Sequence, residues 1–281
     1  GVFNLVNGEG PVVGSAMSKH ADIQMMSFTG STRAGTAVVR ESADTVKRVA
    51  LELGGKSPNI VFADCNVEER IEYSVKECMS NTGQSCDAPT RLLVEHSCYQ
   101  TALEKAKLVA EGLKVGDPND ANTEIGPLFD KIQFDRVQSM IEAGMNEGCR
   151  LLTGGLGKPN GLDLGWFVKP TIFCDANNQM RVAREEIFGP VLVVIPFKTE
   201  SEAIQIANDT PYGLASFIQT GDKEKAERVA KKLRAGSVHL NGAGVEYGTP
   251  FGGYKQSGNG REGGLMGLED YLETKSLHGF S

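Results

Sequence analysis

From residue 1 to about residue 255, short apolar runs of strand character alternate with segments of helical period, joined by glycine-containing turns. That rhythm restricts the chain to an α/β fold in which helices cover parallel strands. A first cycle places strands at residues 1–6, 23–28 and 46–53, with helices near 11–19 and 32–42, a βαβαβ order. Sheets of this kind take ligands beyond the carboxyl ends of their strands. A second cycle places strands at 59–62 and 91–95 and helices at 67–79, 99–111 and 131–147. It resumes with strands at 191–197, 215–220 and 237–241 and helices at 200–208 and 223–234. Residues 154–165, with Pro159 and Asn160 among glycines, read as a surface loop, and 271–277 as a short terminal strand.

Composition excludes several functions. Hydrophobic residues make up 40%, charged residues 23%, and the net charge of -7 is spread along the chain, which disfavours a nucleic-acid partner. No stretch approaches the roughly 18 apolar residues of a membrane helix. The six cysteines form no Cys-x-x-Cys pair and the four histidines are scattered, so neither a metal site nor a dense disulfide framework is expected. A reducing, cytoplasmic setting follows from that cysteine usage. No methionine and no signal-peptide pattern stands at residue 1, and the chain is expected to begin inside a fold.

Two segments carry reactive groups. Leu51-Glu52-Leu53-Gly54-Gly55-Lys56 and Gly83-Gln84-Ser85-Cys86 place a carboxylate and a thiol beside glycine turns. A thiolate attacks carbonyl carbon well, but a cysteine needs a lowered pKa or a nearby proton acceptor to ionise near neutral pH. On composition alone Cys86 would be a small buried hydrophobe and Glu52 a solvated charge at a strand end. Polar Gln84, Ser85 and Asp87 flank Cys86, unlike the setting of a core cysteine. Cys78 falls on the helix at 67–79 and reads as packing. In Phe28-Thr29-Gly30-Ser31-Thr32-Arg33-Ala34-Gly35 a strand runs into a helix with Ser31 as candidate N-cap, an anion site in principle.

These segments, together with Glu185-Glu186-Ile187-Phe188-Gly189-Pro190 and Pro250-Phe251-Gly252-Gly253-Tyr254-Lys255-Gln256-Ser257-Gly258, resemble five signatures of the aldehyde dehydrogenase superfamily, in that family's order. The resemblance implies the end of a Rossmann-type coenzyme domain over 1–54, an α/β catalytic domain over 55–255, and a C-terminal segment over 256–281 with an interface strand. It implies a homo-dimer or homo-tetramer acting on a small-molecule aldehyde. Cys86 and Glu52 would share one site, Cys86 attacking the aldehyde and Glu52 activating the water that cleaves a thioester to the carboxylic acid, with deprotonation of the Cys86 thiol a second role open to the same carboxylate. The backbone N–H of Cys86 would give half of an oxyanion hole. The coenzyme would be NAD or NADP, with NAD favoured, held by Thr29, Gly30, Ser31, Gly35, Leu53, Glu186 and Phe188. Ser85, Asp87 and Phe251 would line the substrate path.

One departure from the family is Asp87, where it usually has a small or apolar residue; a negative charge there disfavours the Cys86 thiolate. The resemblance also implies roughly two hundred further residues upstream, about one more domain's worth of chain. They would hold the other oxyanion donor and the adenine-ribose pocket, so residues 1–281 alone are expected to have negligible activity. The alternatives are an inactive fragment or assembly subunit and a coenzyme-A-acylating relative. Cysteine with a base also serves non-redox acyl transfer, but no histidine stands in a suggestive motif.

Overall fold

Gly10–Lys19, Met25–Thr29, Thr32–Ser42 and Arg48–Glu52 form α1, β1, α2 and β2 in a computed structural model, which describes residues 1–279. Pro11 opens α1, where its missing N–H costs nothing. Ser31 caps α2, its Oγ accepting from Ala34 N at 3.3 Å. β1 and β2 pair in parallel, with Thr29 opposite Glu52. The strand expected at 1–6 is not present; Val2 and Phe3 are exposed. Strand propensity alone does not order a segment that has no neighbouring strand to bond to.

Residues 55–244 form a second unit around a seven-stranded sheet. Its elements are β3 Pro58–Val61, α3 Val67–Met79, β4 Arg91–Glu95, α4 Tyr99–Gly112, α5 Lys131–Asn146, β5 Arg150–Thr153, β6 Thr171–Cys174, α6 Arg181–Arg184, β7 Val191–Phe197, α7 Glu200–Asn208, β8 Ala215–Gln219, α8 Lys223–Ala230 and β9 Ser237–Leu240. The strand order is β5-β6-β7-β4-β3-β8-β9, with β5 antiparallel to β6 and every other pair parallel. Asp130, Thr199 and Asp222 cap α5, α7 and α8 by accepting the next turn's N–H groups.

The strand sequences are apolar on both faces because both are covered. Leu92 and Val94 of β4, Leu192 and Val194 of β7, and Ile172 and Cys174 of β6 pack with α3 and α4. Leu93, Val193 and Phe173 point the other way, into the layer built by α5, α6, α7 and α8. β5 and β6 are absent from the sequence reading; each is four residues long, too short to show alternation.

Arg91 ties this sheet to the segments before β3 and after α7. It is 0% exposed; Nε donates to Lys56 O at 2.8 Å, Nη1 to Asn178 Oδ1 at 2.8 Å and Ile206 O at 2.9 Å, and Nη2 to Ala207 O at 2.9 Å. Burial pulls its pKa down to about 10. Replacement of Arg91 by leucine leaves buried acceptors unsatisfied and should lower unfolding stability by about 3 kcal/mol or more in a denaturant titration.

The chain then returns to the first unit, which comprises residues 1–54 and those from 245 onward. β10, Gly258–Asn259, runs antiparallel to β2 with Gly258 opposite Glu52, and α9 follows at Gly264–Glu269. Residues 245–255, assigned from the sequence to the catalytic domain, thus pack with the coenzyme-type unit, drawn there by the β2–β10 pairing. Residues 271–277 are not a strand. Arg48 instead holds that stretch as irregular backbone, through the carbonyls of Asp270 and Leu272. Residues 280 and 281, the end of the expected C-terminal segment, lie outside the described residues. Among the described residues no helix is long and apolar enough to cross a membrane.

Candidate active site

The first unit gathers one set of the expected residues around the ends of β1 and β2. Gly30 N donates to Glu52 O at 3.0 Å, continuing the ladder past Thr29 and bringing Ser31 and the start of α2 beside β2. A Cβ on Gly35 would lie 2.7 Å from Leu53 Cδ2, so any larger residue there would have to displace the Leu53 side chain from α2. The segment after residue 250 wraps the same strand end. Ser257 O accepts from Leu53 N at 2.9 Å, and Ser257 Oγ donates to Gly54 O at 2.7 Å. Thr32 Oγ1 reaches Gln256 O at 3.2 Å.

Glu52 is 6% exposed, and neither carboxylate oxygen has a hydrogen-bond partner among the described residues. A Cβ on Gly252 would stand 2.6 Å from Glu52 Oε1, so the turn after Phe251 covers the carboxylate. Phe251 itself is fixed by reciprocal 2.7 Å backbone bonds with Glu262. Burial, then the charge of Glu262, raise the Glu52 carboxyl to about 7, against the pull of Arg261 and with a further push from Asp270. Arg261 Nη1 bonds the carbonyls of Gly253 at 3.1 Å and Gly260 at 2.6 Å, which locks the covering segment. Neither Gly252 nor Arg261 was given a role by the sequence reading, although Gly252 lies inside a quoted signature.

The second unit gathers the other set at the amino ends of its parallel strands, since 55–57, 83–90, 185–190 and 212–214 precede β3, β4, β7 and β8. This is the opposite end from the one the doubly wound pattern suggests. A Cβ on Gly55 would stand 2.4 Å from Cys86 O and 3.3 Å from Leu214 Cβ, and one on Gly83 would stand 2.2 Å from Gly189 O. The Cys86 loop is therefore in close backbone contact with Gly55 on one side and with Gly189, after Phe188, on the other.

Three successive residues before Cys86 are left-handed: Asn81, Thr82 and Gly83, with φ of 49°, 61° and 66°. Such conformations persist in non-glycine residues only where the surroundings enforce them. Here Asn81 Nδ2 donates to Gln84 O at 2.9 Å and Thr82 Oγ1 to Gly126 O at 3.2 Å. Gln84 Oε1 accepts from Phe129 N at 3.1 Å. Gln84 was quoted in the signature without a role; the structure makes it the strut of the Cys86 loop. Cys86 is half-buried. Ser85 Oγ donates to Asp87 Oδ1 at 2.6 Å, and partial desolvation, then the Asp87 charge, raise the Glu77 carboxyl.

Glu186 and Phe188 share a loop held by one face of α5. Arg136 Nη2 donates to Glu186 O at 2.7 Å, and Gln133 Nε2 donates to Ile187 O at 2.9 Å and Phe188 O at 2.7 Å. Phe188 sits at φ of 57°, fixed by that carboxamide. Glu186 Oε1 accepts from Gly55 N at 3.2 Å; burial raises its carboxyl, opposed by that bond and by Arg136 and Lys56. Burial pulls the Lys56 ammonium down to about 7. Gln133 and Arg136 lie far from every quoted signature, and only their helical spacing could have pointed to them.

The chain matches the Aldehyde dehydrogenase family over residues 1–277. A 3-succinoylsemialdehyde-pyridine dehydrogenase of Pseudomonas sp is 53% identical over all of this chain, which spans 59% of that relative's length. An aldehyde dehydrogenase C mutant from Pseudomonas syringae, solved with NAD+ and octanal, superposes with a TM-score of 0.98 at 50% identity, covering 100% of this chain and 58% of that one. An aldehyde dehydrogenase from Bartonella henselae gives a TM-score of 0.95 at 49% identity over 98% of this chain and 57% of its own. The chain belongs to the aldehyde dehydrogenase family.

Proposed function

We propose that the chain carries the reacting residues of an NAD- or NADP-dependent enzyme that oxidises an aldehyde to its carboxylic acid. The observation that carries this reading is Glu52, a buried carboxyl at a strand end, held near neutral pKa with no hydrogen-bond partner among the described residues. Such a group is tuned for proton abstraction at physiological pH.

The residues fit a nicotinamide coenzyme. Ser31, exposed at the start of α2 beside exposed Gly30, presents a backbone N–H group suited to phosphate, and the glycine contact of Gly35 on Leu53 keeps that end of the helix close to β2. Thr29, Gly30, Ser31, Gly35, Leu53, Glu186 and Phe188 are the residues that would hold it. When bound, the coenzyme supplies the acceptor for the aldehyde's hydride. NAD is the favoured form, supported by the NAD+ in the Pseudomonas syringae structure.

In the proposed reaction Cys86 Sγ bonds the aldehyde carbonyl carbon, and the oxygen, gathering charge, is met by the Cys86 backbone N–H. After oxidation the acyl group stays on Cys86 as a thioester. Glu52 takes a proton from water, the hydroxyl adds to the thioester carbon, the C–S bond breaks, and the acid departs with the thiol regenerated. Ser85, Asp87 and Phe251 face the aldehyde in this reading. The homo-dimer or homo-tetramer of the family and a cytoplasmic location belong to the same proposal.

The test supplies the full-length gene product with octanal and NAD+. NADH and octanoic acid should appear in equal amounts, none with Cys86→Ala, and negligible NADH should come from residues 1–281 alone. Octanoyl-coenzyme A as the main product when coenzyme A is added, or undiminished NADH from Cys86→Ala, would contradict the reading.

A further inference from the structure

Two cysteines outside the proposed chemistry stand at equivalent places on neighbouring strands. β3 and β4 pair in parallel with Val61 opposite Val94, and Cys65 and Cys98 each lie four residues beyond that pair. The chain leaves β3 through a turn over residues 62–65 and β4 through a 3-10 turn, His96–Cys98. Cys65 Sγ donates to Phe62 O at 3.1 Å and Cys98 Sγ to Glu95 O at 3.3 Å, in each case the carbonyl three residues back. The turns are tied together by Ala63 N donating to Glu95 Oε2 at 2.9 Å. Cys98 belongs to the apolar layer under α3 and α4, and Cys65 packs against that same layer.

We propose that Cys65 and Cys98 are a reversible oxidation site, forming a disulfide that joins the start of α3 to the start of α4. Adjacent strands run about 4.8 Å apart, and disulfides span Cα separations of about 4.4–6.8 Å, so equivalent positions one turn beyond paired strands fall within reach. The contrast with Cys149 and Cys174 is instructive. Cys149 immediately precedes β5 and Cys174 ends its partner β6, but Cys149 packs in one apolar layer and Cys174 in the other, so the sheet separates their thiols.

The chemistry balances with a hydroperoxide as oxidant. Half-buried Cys65 attacks a peroxide oxygen; an S–O bond forms, the O–O bond breaks and water leaves after proton transfer. Cys98, 9% exposed, then attacks that sulfur; the S–S bond forms and a second water leaves. Two thiols lose two electrons and one hydrogen peroxide becomes two waters. Burial pushes both thiols up to about 11, Cys65 also through Asp64 and Glu69 against Arg70, and Cys98 through Glu95 and Cys65. Few thiolates exist at neutral pH, so the reaction is slow there and is best driven at about pH 9.

Trypsin decides the matter, because peptides 57–70 and 92–105 each contain one cysteine, Cys65 and Cys98 respectively. The folded full-length protein is treated with hydrogen peroxide, capped with N-ethylmaleimide and digested without reductant. The expected result is a linked pair of these two peptides, released by dithiothreitol and absent from Cys65→Ser and Cys98→Ser. Recovery of both peptides unlinked, capped or over-oxidised, would overturn the proposal. That outcome is read on the unsubstituted protein and does not depend on either variant folding, nor on the enzymatic reading above.

Discussion

Glu52→Gln should stop turnover after one NADH per site while making the protein more stable above neutral pH. The first effect follows from the proposed role: glutamine cannot accept the proton of the hydrolytic water, so the acyl group remains on Cys86 if the carboxylate serves hydrolysis alone, whereas loss of the first NADH as well would assign it to the thiol too. In the unsubstituted enzyme the hydrolytic rate should fall about tenfold per pH unit below the Glu52 pKa near 7. The second effect follows from linkage. Burial raises the folded pKa from 4.5 to about 7, so the native state binds the proton more tightly than the unfolded chain. The stability this confers is complete below pH 4.5 and lost as pH rises through 7, beyond which folding holds a buried carboxylate. Glutamine removes that cost, so the variant should gain about 3 kcal/mol at pH 8 and almost nothing at pH 4.5, read from denaturant midpoints. A steady-state rate equal to the parent's would sink the assigned role, and a gain at low pH would sink the linkage argument.

Gly83→Ala should cost both stability and activity. The new Cβ would stand 2.2 Å from Gly189 O and 2.4 Å from Gly189 C, backbone atoms that cannot swing aside, and φ of 66° disfavours alanine. The conformational and overpacking penalties together come to about 2–4 kcal/mol. Relief requires the Cys86 loop and the Phe188 turn to part, and a displacement of an ångström at a nucleophile can cost about a hundredfold in rate. The expected variant folds with a lowered thermal midpoint and a kcat/KM reduced at least that far. Unchanged kinetics at a lowered midpoint would show that this contact serves folding alone.

Much of this architecture was legible because the strands of the second unit are buried on both faces and their helices carry strong apolar periods. The segments that misled were those whose propensity lacked a partner. Residues 1–6 and 271–277 look like strands, yet 1–6 stays out of any sheet and Arg48 binds the backbone around Leu272 instead. For the candidate site, Glu52 and Cys86 stood in dense local signatures. The groups that tune and hold them did not: Glu262 and Arg261 reach Glu52 by β2–β10 pairing, and Gln133 and Arg136 hold Phe188 and Glu186 from a helix some fifty residues away in the chain. A one-dimensional reading has no access to such long-range partners, nor to the full left-handed turn at Asn81 and Thr82: asparagine tolerates a positive φ, but β-branched threonine gives no sign of one.

The most direct test of the account locates the acyl group. The full-length Glu52→Gln protein is mixed with octanal and NAD+, quenched in acid and digested with trypsin, and peptide 77–91, which holds both Cys78 and Cys86, is fragmented by mass spectrometry. The account predicts one octanoyl group per site, on Cys86. An octanoyl group on Cys78 or elsewhere, or NADH formed with no acylated peptide, would contradict it.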